Sequence, residues 1–374
     1  KMNILLITTH MRMGGVGVYT VTLANRLQKA GNRVFVASSG GGLDERLSQG
    51  VGRITVPLDT KSVLSPKVFA AALGLTGAVK KEKIDIIHAQ TRVSQAAAHL
   101  LSAMTGVPYV ATWHGFFRAH FLRRLFPFWG RKTIAISKPV YDNLRDVFRR
   151  NEGGLRLVLN GVETDRFSRV YSPEEKKEIK KKFGLGDGMG CGPIIGIISR
   201  LSAEKGHAML IDAFRKISGR FPGAQLLIIG EGRLESDLKK RAEGYGLGSS
   251  VRFFGNTLNA DEFLAIMDVF ARPGLQEGFG LAIVEAMLMG VPVASTGVGG
   301  FREMLNDGEL GVLIEACDPD HISAAICRVL DDKELAQRIK ISAKRYAASN
   351  FSAERMARQT LEVYREALDG TGKK

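Results

Sequence analysis

The sequence predicts an α/β fold made of two parallel-sheet domains in tandem, and three observations lead there. Short apolar runs alternate with segments of helical spacing, in two separate series. One stretch, residues 168–193, breaks the alternation with five lysines and then the glycine-rich GLGDGMGCGP. In the first series glycines follow the opening strand, where the chain must turn into a helix: Gly14, Gly15 and Gly17.

The elements follow in order. Residues 4–7 are a buried strand, 18–29 have helical spacing, and Gly31 stands where that helix would stop. Residues 34–37 make the next strand. A helix ends in Lys80, Lys81 and Lys83, and the strand 84–88 follows it. Residues 93–104 are helical and closed by Gly106, while 107–112 and 133–136 are further short apolar runs. Alternation of this kind builds a parallel sheet covered on both faces. The second series opens with a strand at 194–198 and a helix at 204–220, then a strand at 224–229, a helix at 233–243 and a strand at 251–254. A short helix at 261–267, a short strand at 269–271, a helix at 281–289 and strands at 291–295 and 312–314 complete it. Three helices close the chain, near 318–331, 333–347 and 352–368. The expected domains are therefore 1–168 and 169–351, with a final helix at about 352–374 packing back on the first. Sheets of this type bind ligands at the carboxyl ends of their strands.

Of the 374 residues, 45% are hydrophobic and 24% charged, which excludes disorder, collagen and a disulfide scaffold. Cys191, Cys317 and Cys327 show no metal-site spacing and read as reduced thiols. No apolar run reaches the roughly 18 residues of a membrane span. The opening KMNILLITTH reads as a strand, without the shape of a signal peptide. The net charge of +15 is uneven: residues 1–168 hold 24 Lys and Arg against 10 Asp and Glu, or +14, leaving +1 for the rest. A basic half joined to a neutral one points to one domain meeting an anionic surface, not to general nucleic-acid binding.

Three features carry chemistry. The first is Met13-Gly14-Gly15-Val16-Gly17, between the first strand and its helix. Glycines permit close backbone approach, and a helix N-terminus offers N–H groups to an anion. The spacing is not that of dinucleotide binding, and a tight turn without a ligand is the alternative. The second is Ser199-Arg200-Leu201 with Glu204-Lys205-Gly206. Two cations five residues apart at a strand end can grip two phosphates, Arg as a fork and Lys as a point charge; a solvated loop is the alternative. The third is Glu277-Gly278-Phe279-Gly280-Leu281-Ala282-Ile283-Val284-Glu285, whose two carboxylates bracket a glycine turn and the start of an apolar helix. They can accept hydrogen bonds from sugar hydroxyls, and the N–H groups of Phe279, Gly280 and Leu281 can hold a phosphate. A helix with an N-terminal acid favoured by its dipole is the alternative. Separately, Thr112-Trp113-His114-Gly115 sets a histidine between a strand and a glycine, and His10 and His88 also sit at strand ends. His10 could contact a diphosphate or an acceptor.

Further motifs are Asn160-Gly161-Val162, Asp165-Arg166-Phe167, Ile229-Gly230-Glu231-Gly232, Phe254-Gly255, and Gly299-Gly300 with Glu303. Together the motifs span nearly the whole chain, and the chain resembles the family-four retaining glycosyltransferases. That resemblance implies the GT-B fold, two facing Rossmann-like domains with a deep interdomain cleft. Gly14 and Gly15 would line the cleft beside the diphosphate and acceptor, and Gly230, Gly278, Phe279, Gly280 and Leu281 would belong to the substrate-binding surface. Arg200 and Lys205 would neutralise the diphosphate of a nucleotide sugar. Glu277 would hold hydroxyls of the donor hexose, Glu285 those of the ribose, and His114 would lie against the hexose at the reaction centre. The family usually needs no metal, and no other cofactor is implied. Two departures leave the sugar preference open: Pro273-Gly274 where the family commonly has Pro-Ser, and Thr296-Gly297 in place of the usual acid before Gly299-Gly300.

The stretch from Phe116 to Trp129 mixes aromatics and leucines with Arg118, Arg123 and Arg124 and has no acid, the pattern of an interfacial segment. A loop-helix docked on its own domain is the alternative. The expectation is a metal-independent hexosyltransferase. It would move a hexose from a nucleotide diphosphate sugar, UDP-glucose or a related one, to a membrane-associated lipid or lipopolysaccharide-type acceptor. It would be cytoplasmic, held peripherally at the inner face of the cytoplasmic membrane, and would bind no nucleic acid. The competing expectations are a nucleotide-sugar epimerase of the same fold and a non-catalytic sugar-nucleotide binding protein.

Overall fold

A computed structural model describes residues 1–117, 123, 125–185 and 192–369. The first sheet holds β1 Asn3–Ile7, β2 Arg33–Ser38, β3 Val51–Thr55, β4 Ile86–Ala89, β5 Tyr109–Trp113, β6 Lys132–Ala135 and β7 Leu155–Leu157, in the order β3-β2-β1-β4-β5-β6-β7. The second holds β8 Ile194–Ile198, β9 Gln225–Ile229, β10 Val251–Phe254, β11 Val269–Arg272, β12 Val293–Thr296 and β13 Val312–Ile314, in the order β10-β9-β8-β11-β12-β13. The pairings are parallel; Leu6, for example, lies between Val36 and His88. Strand order reverses once in each sheet, between β1 and β4 and between β8 and β11. Such switch points open a crevice at the carboxyl ends of the strands.

Both faces of the first sheet are covered, which is why β1 and β4 read as unbroken apolar runs. Ile4, Leu6 and Ile86 pack with Tyr19, Leu23 and Leu27 of helix Gly15–Lys29 and with Met356, Val363 and Tyr364 of helix Ala353–Asp369. Leu5, Ile7 and Ile87 face the other way, onto Val68, Ala72 and Leu75 of helix Pro66–Lys81 and Val93, Ala97 and Leu101 of helix Arg92–Thr105. A fully buried side chain of this size contributes about 1.5–3 kcal/mol.

The chain divides into two compact units: residues 1–161 with 351–374, and residues 162–350. The division falls earlier than the expected 168, because Arg166 donates to Asp261 Oδ1 at 3.1 Å and ties residues 162–168 to the second unit. By these units the charge is more uneven still: 28 Lys and Arg against 12 Asp and Glu in the first, +16, which leaves −1 in the second. Two further differences are physical. Helix Pro173–Lys182 occupies part of the expected linker, started by a Ser172/Glu175 capping box with Pro173 in its first turn. The helix expected from 204 begins instead at His207, because Gly206 is left-handed at φ +79° and separates it from the single turn Ala203–Lys205. The glycine-rich residues 186–191, Cys191 included, lie outside the described residues, and Cys317 and Cys327 are free thiols.

Candidate active site

In the second unit the sequence features converge on the switch point between β8 and β11. Gly206 makes this possible: a Cβ there would sit 1.9 Å from the Pro273 carbonyl oxygen, so the segment after β11 crosses directly over the turn that carries Lys205. Lys205 Nζ then donates to Glu277 Oε2 at 2.8 Å. The guanidinium of Arg272, the last residue of β11, donates to the same oxygen. Burial alone would raise the Glu277 carboxyl, but the two cations outweigh it and hold the group below its ordinary range. Two cations on one carboxylate leave a positive charge in a poorly hydrated place, which favours an anion.

Arg272 is the residue that sequence reading missed. Its side chain is only 4% exposed, and Nη1 has no partner among the described residues. The available signal was a lone arginine ending an otherwise apolar strand. Arg200 behaves differently. Its side chain is 71% exposed and pairs with Glu204 at 2.9 Å, so the structure brings Lys205 to Glu277 and leaves Arg200 on the surface. Gly230 packs against the Arg200 loop: a Cβ would meet the Ser199 carbonyl oxygen at 2.1 Å. Gly278 and Phe279 are buried behind Glu277, and the Gly278 N–H donates to Glu277 Oε1 at 3.2 Å. Gly280, at φ +94°, caps helix Leu281–Leu288; a Cβ there would strike the Phe301 ring at 2.3 Å. Glu285 lies in the second turn of that helix, half-buried. The one Asp-x-Asp of the chain, Asp318-Pro319-Asp320, serves as a cap: Asp318 accepts the N–H groups of Asp320 and His321.

In the first unit the switch point lies between β1 and β4. A Cβ on Gly14 or Gly15 would meet nothing within 4 Å, so this turn borders open space. His114 follows β5, its ring edge-on to Tyr19 at 4.6 Å and its Nε2 3.2 Å from Gln90 Oε1 at the end of β4. Withdrawal from water pushes its pKa down to about 3, so the imidazole is neutral. His88 is not a site residue. It is fully buried, with Tyr364 OH and Thr112 Oγ1 each 2.6 Å from a ring nitrogen. His10 accepts the Arg12 N–H at Nδ1.

A pH dependence follows. Folded His88 stays neutral to about pH 3, whereas the unfolded chain protonates it near 6.5. Its pKa is depressed on folding, so the unfolded state binds more protons and stability falls as pH drops from about 6.5 toward 3. For that one group the loss is about 1.4 kcal/mol per pH unit. His114, about 3, and buried His207, about 4, act in the same direction. Thermal unfolding is expected at a clearly lower temperature at pH 5 than at pH 7.5; equal midpoints would contradict these burials.

The 116–129 segment divides between its two readings. Trp129 stacks on Trp113 at 5.0 Å and Phe128 lies 5.6 Å from His99, both docked on their own unit. Phe117, Leu125 and Phe126 remain exposed, at 37%, 55% and 52%. Arg118 and Arg124, with residues 119–122, lie outside the described residues. Among the described residues no helix is long and apolar enough to cross a membrane.

Comparison with known proteins adds to this geometry. Residues 13–166 match the family model for Glycosyltransferase Family 4, and residues 175–346 that for Glycosyl transferases group 1. The N-acetyl-alpha-D-glucosaminyl L-malate synthase of Bacillus anthracis is 26% identical over 98% of each chain. The lipopolysaccharide core biosynthesis mannosyltransferase LpsB of Rhizobium meliloti is 30% identical over 57% of this chain and 61% of its own. HepE of Anabaena, solved with UDP and glucose, superposes with a TM-score of 0.82 over 98% of this chain and 100% of its own, at 21% identity, a likeness of fold.

Proposed function

This chain belongs to the family 4 glycosyltransferases, with the two Rossmann-like domains of the GT-B fold, and we propose that it transfers a hexose from a nucleoside diphosphate sugar to a membrane-associated acceptor with retention at the anomeric carbon. The observation that carries the reading is the Lys205–Glu277–Arg272 cluster at the β8/β11 switch point. Lys205 and the more exposed Arg200 meet the diphosphate, and Glu285 the ribose hydroxyls. With Glu277 Oε2 held by two cations, Oε1 accepts hexose hydroxyls. Neutral His114 contacts the hexose without acting as an acid, and the open turn at Gly14 and Gly15 leaves room for diphosphate and acceptor. The acceptor hydroxyl attacks on the face the diphosphate leaves. The anomeric carbon–phosphate oxygen bond breaks, the new carbon–oxygen bond forms, and a phosphate oxygen takes the acceptor proton. Neither glutamate is a covalent nucleophile.

A uridine-linked glucose or relative is the proposed donor, supported by the UDP and glucose of HepE. A lipid or lipopolysaccharide-type acceptor at the inner face of the cytoplasmic membrane is supported by the +16 unit, the exposed Phe117, Leu125 and Phe126, and LpsB. A small soluble acceptor is the second reading, favoured by the N-acetyl-alpha-D-glucosaminyl L-malate synthase that matches over 98% of each chain. The protein cations carry the charge work here, without a metal.

The deciding experiment incubates the protein with a panel of nucleotide sugars. Slow hydrolysis of one donor, unaffected by EDTA, is expected. Release of an epimer, or binding with no turnover of any donor or acceptor, would overturn the transferase reading, and loss on EDTA treatment restored by manganese would overturn the metal-free one. Binding should separate the two cations. Lys205→Ala is expected to weaken the nucleoside diphosphate roughly 10–100-fold, as a lost charged contact of about 1.5–3 kcal/mol does. Arg200→Ala, losing a contact in high dielectric, should cost less, and neither should alter nucleoside binding. Equal losses for nucleoside and nucleoside diphosphate would mean that these side chains do not touch phosphate.

A further inference from the structure

We propose that the outer face of helix Pro66–Lys81, with Leu64 just before it, docks on an anionic lipid membrane. The inference rests on the membrane-acceptor reading above and adds a contact surface outside the 116–129 segment. The helix buries Val68, Ala71, Ala72, Leu75 and Val79 against its own unit. Its other face is apolar as well. Between Lys67 and Lys80 there is no charged residue, and the one polar side chain, Thr76, turns its hydroxyl back onto the Leu73 carbonyl at 2.7 Å. A helix that is apolar all round belongs in a protein interior or in lipid. Yet Phe69 and Leu73, one turn apart, are 55% and 54% exposed, Leu64 is 85% exposed, and Ala70, Gly74 and Gly77 are exposed beside them.

Charge frames this face. Lys61 and Lys67 stand at one end and Lys80 and Lys81 at the other, with no acid from Thr60 to Lys81. The flanking acids are occupied: Asp59 pairs with Arg12 at 2.8 Å and Glu82 with Arg33 at 2.7 Å. Cations at the rim and aromatic and aliphatic groups between them match the headgroup and acyl layers of an interface. The same layer of the unit carries the other apolar exposure. Helix Arg92–Thr105 packs beside helix Pro66–Lys81, and Arg92 holds the Phe126 carbonyl at 2.7 Å. Val63 and Phe128, the neighbours of Leu64 and of Phe126-Pro127, rest on one apolar cluster. A second copy of the chain is a poor occupant, since it would bring one +16 unit against another. A negatively charged bilayer suits both the apolar face and its lysine rim.

The test is co-sedimentation of the full chain with vesicles, phosphatidylglycerol-containing against pure phosphatidylcholine. The wild-type chain should bind the anionic vesicles. The triple variant Leu64→Ser, Phe69→Ser, Leu73→Ser should bind them at least about tenfold more weakly, with circular dichroism and donor hydrolysis unchanged. Replacing Lys61, Lys67, Lys80 and Lys81 by Gln should also weaken anionic binding, and should flatten its dependence on salt. If both variants bind like wild type while Arg123→Ser, Leu125→Ser, Phe126→Ser does not bind, the helix face is wrong and the membrane reading stands. If the wild-type chain binds neither vesicle, both fall. If light scattering finds a wild-type dimer that the triple variant abolishes, without any lipid difference, the face is a self-contact and the proposal is overturned.

Discussion

Glu277→Gln is expected to lower turnover about 10²–10³-fold while leaving the affinity for free nucleoside diphosphate unchanged or higher. The substitution keeps the shape of the side chain and removes its charge. The hexose loses one or two charge-assisted hydrogen bonds, each about 1.5–3 kcal/mol, at the group undergoing reaction. The phosphates lose nothing, because Glu277 attracts them to no extent; it neutralises Lys205 and Arg272, which pair with it at a single oxygen. With that carboxylate gone, both cations are freer to meet an anion. Calorimetry with free nucleoside diphosphate, set beside steady-state turnover, checks the split. A loss of nucleotide affinity as large as the loss of turnover would place Glu277 on the diphosphate and contradict the assignment.

The second large effect is structural. Gly206→Ala is expected to destabilise the chain by about 2–5 kcal/mol and to abolish donor hydrolysis. The left-handed backbone costs an alanine about 1–2 kcal/mol. The new methyl would then sit 1.9 Å from a backbone carbonyl, which cannot rotate away as a side chain could, and overpacking of this kind adds about 1–3 kcal/mol. Relief requires the Pro273 segment to lift, and Glu277 moves off Lys205 with it. Gly219→Ala is the matched control: it makes the same change in helix His207–Arg220, at an exposed site where a Cβ meets nothing within 4 Å. It should stabilise by about 0.5–1 kcal/mol. Denaturant midpoints of the two variants should therefore move in opposite directions, and parallel shifts would mean that the crossing over Gly206 is not tight.

The fold was legible where burial is two-sided. Ile4 to Ile7 and Ile194 to Ile198 could only be inner strands of parallel sheets, and the glycines after the first marked the turn into its helix. Strand Val51–Thr55 escaped notice because it contains a glycine and alternates between buried and exposed positions at a sheet edge. Helix Pro173–Lys182 was hidden by its composition, in which only Ile179 is buried, although Ser172 and Glu175 announced a capping box. In the candidate site, Lys205 and Glu277 stood out in the sequence in separate motifs, but their pairing did not. The other partner of Glu277 was not readable, because Arg272 reaches it from a strand end through tertiary folding, and an arginine in an apolar strand carries no spacing signal. The surface position of Arg200 was equally invisible, since its neighbour Glu204 competes for it within the same loop.

The return of helix Ala353–Asp369 to the first unit has a consequence during synthesis. The second unit is contiguous, residues 162–350, and can fold as soon as it clears the ribosome. The first cannot. Its sheet emerges early, but Met356, Val363 and Tyr364, which pack on Ile4 and Leu6, arrive 195 to 203 residues after Gly161. At roughly 5–20 residues per second that is a wait of about 10–40 s. Throughout it His88 lacks the Tyr364 hydroxyl, and one apolar face of the most basic part of the nascent chain stays open to water. The half of the protein that is made first is therefore finished last, and chaperones that bind exposed apolar surface should find it there, on ribosome-bound chains stalled before residue 353 and not on released ones.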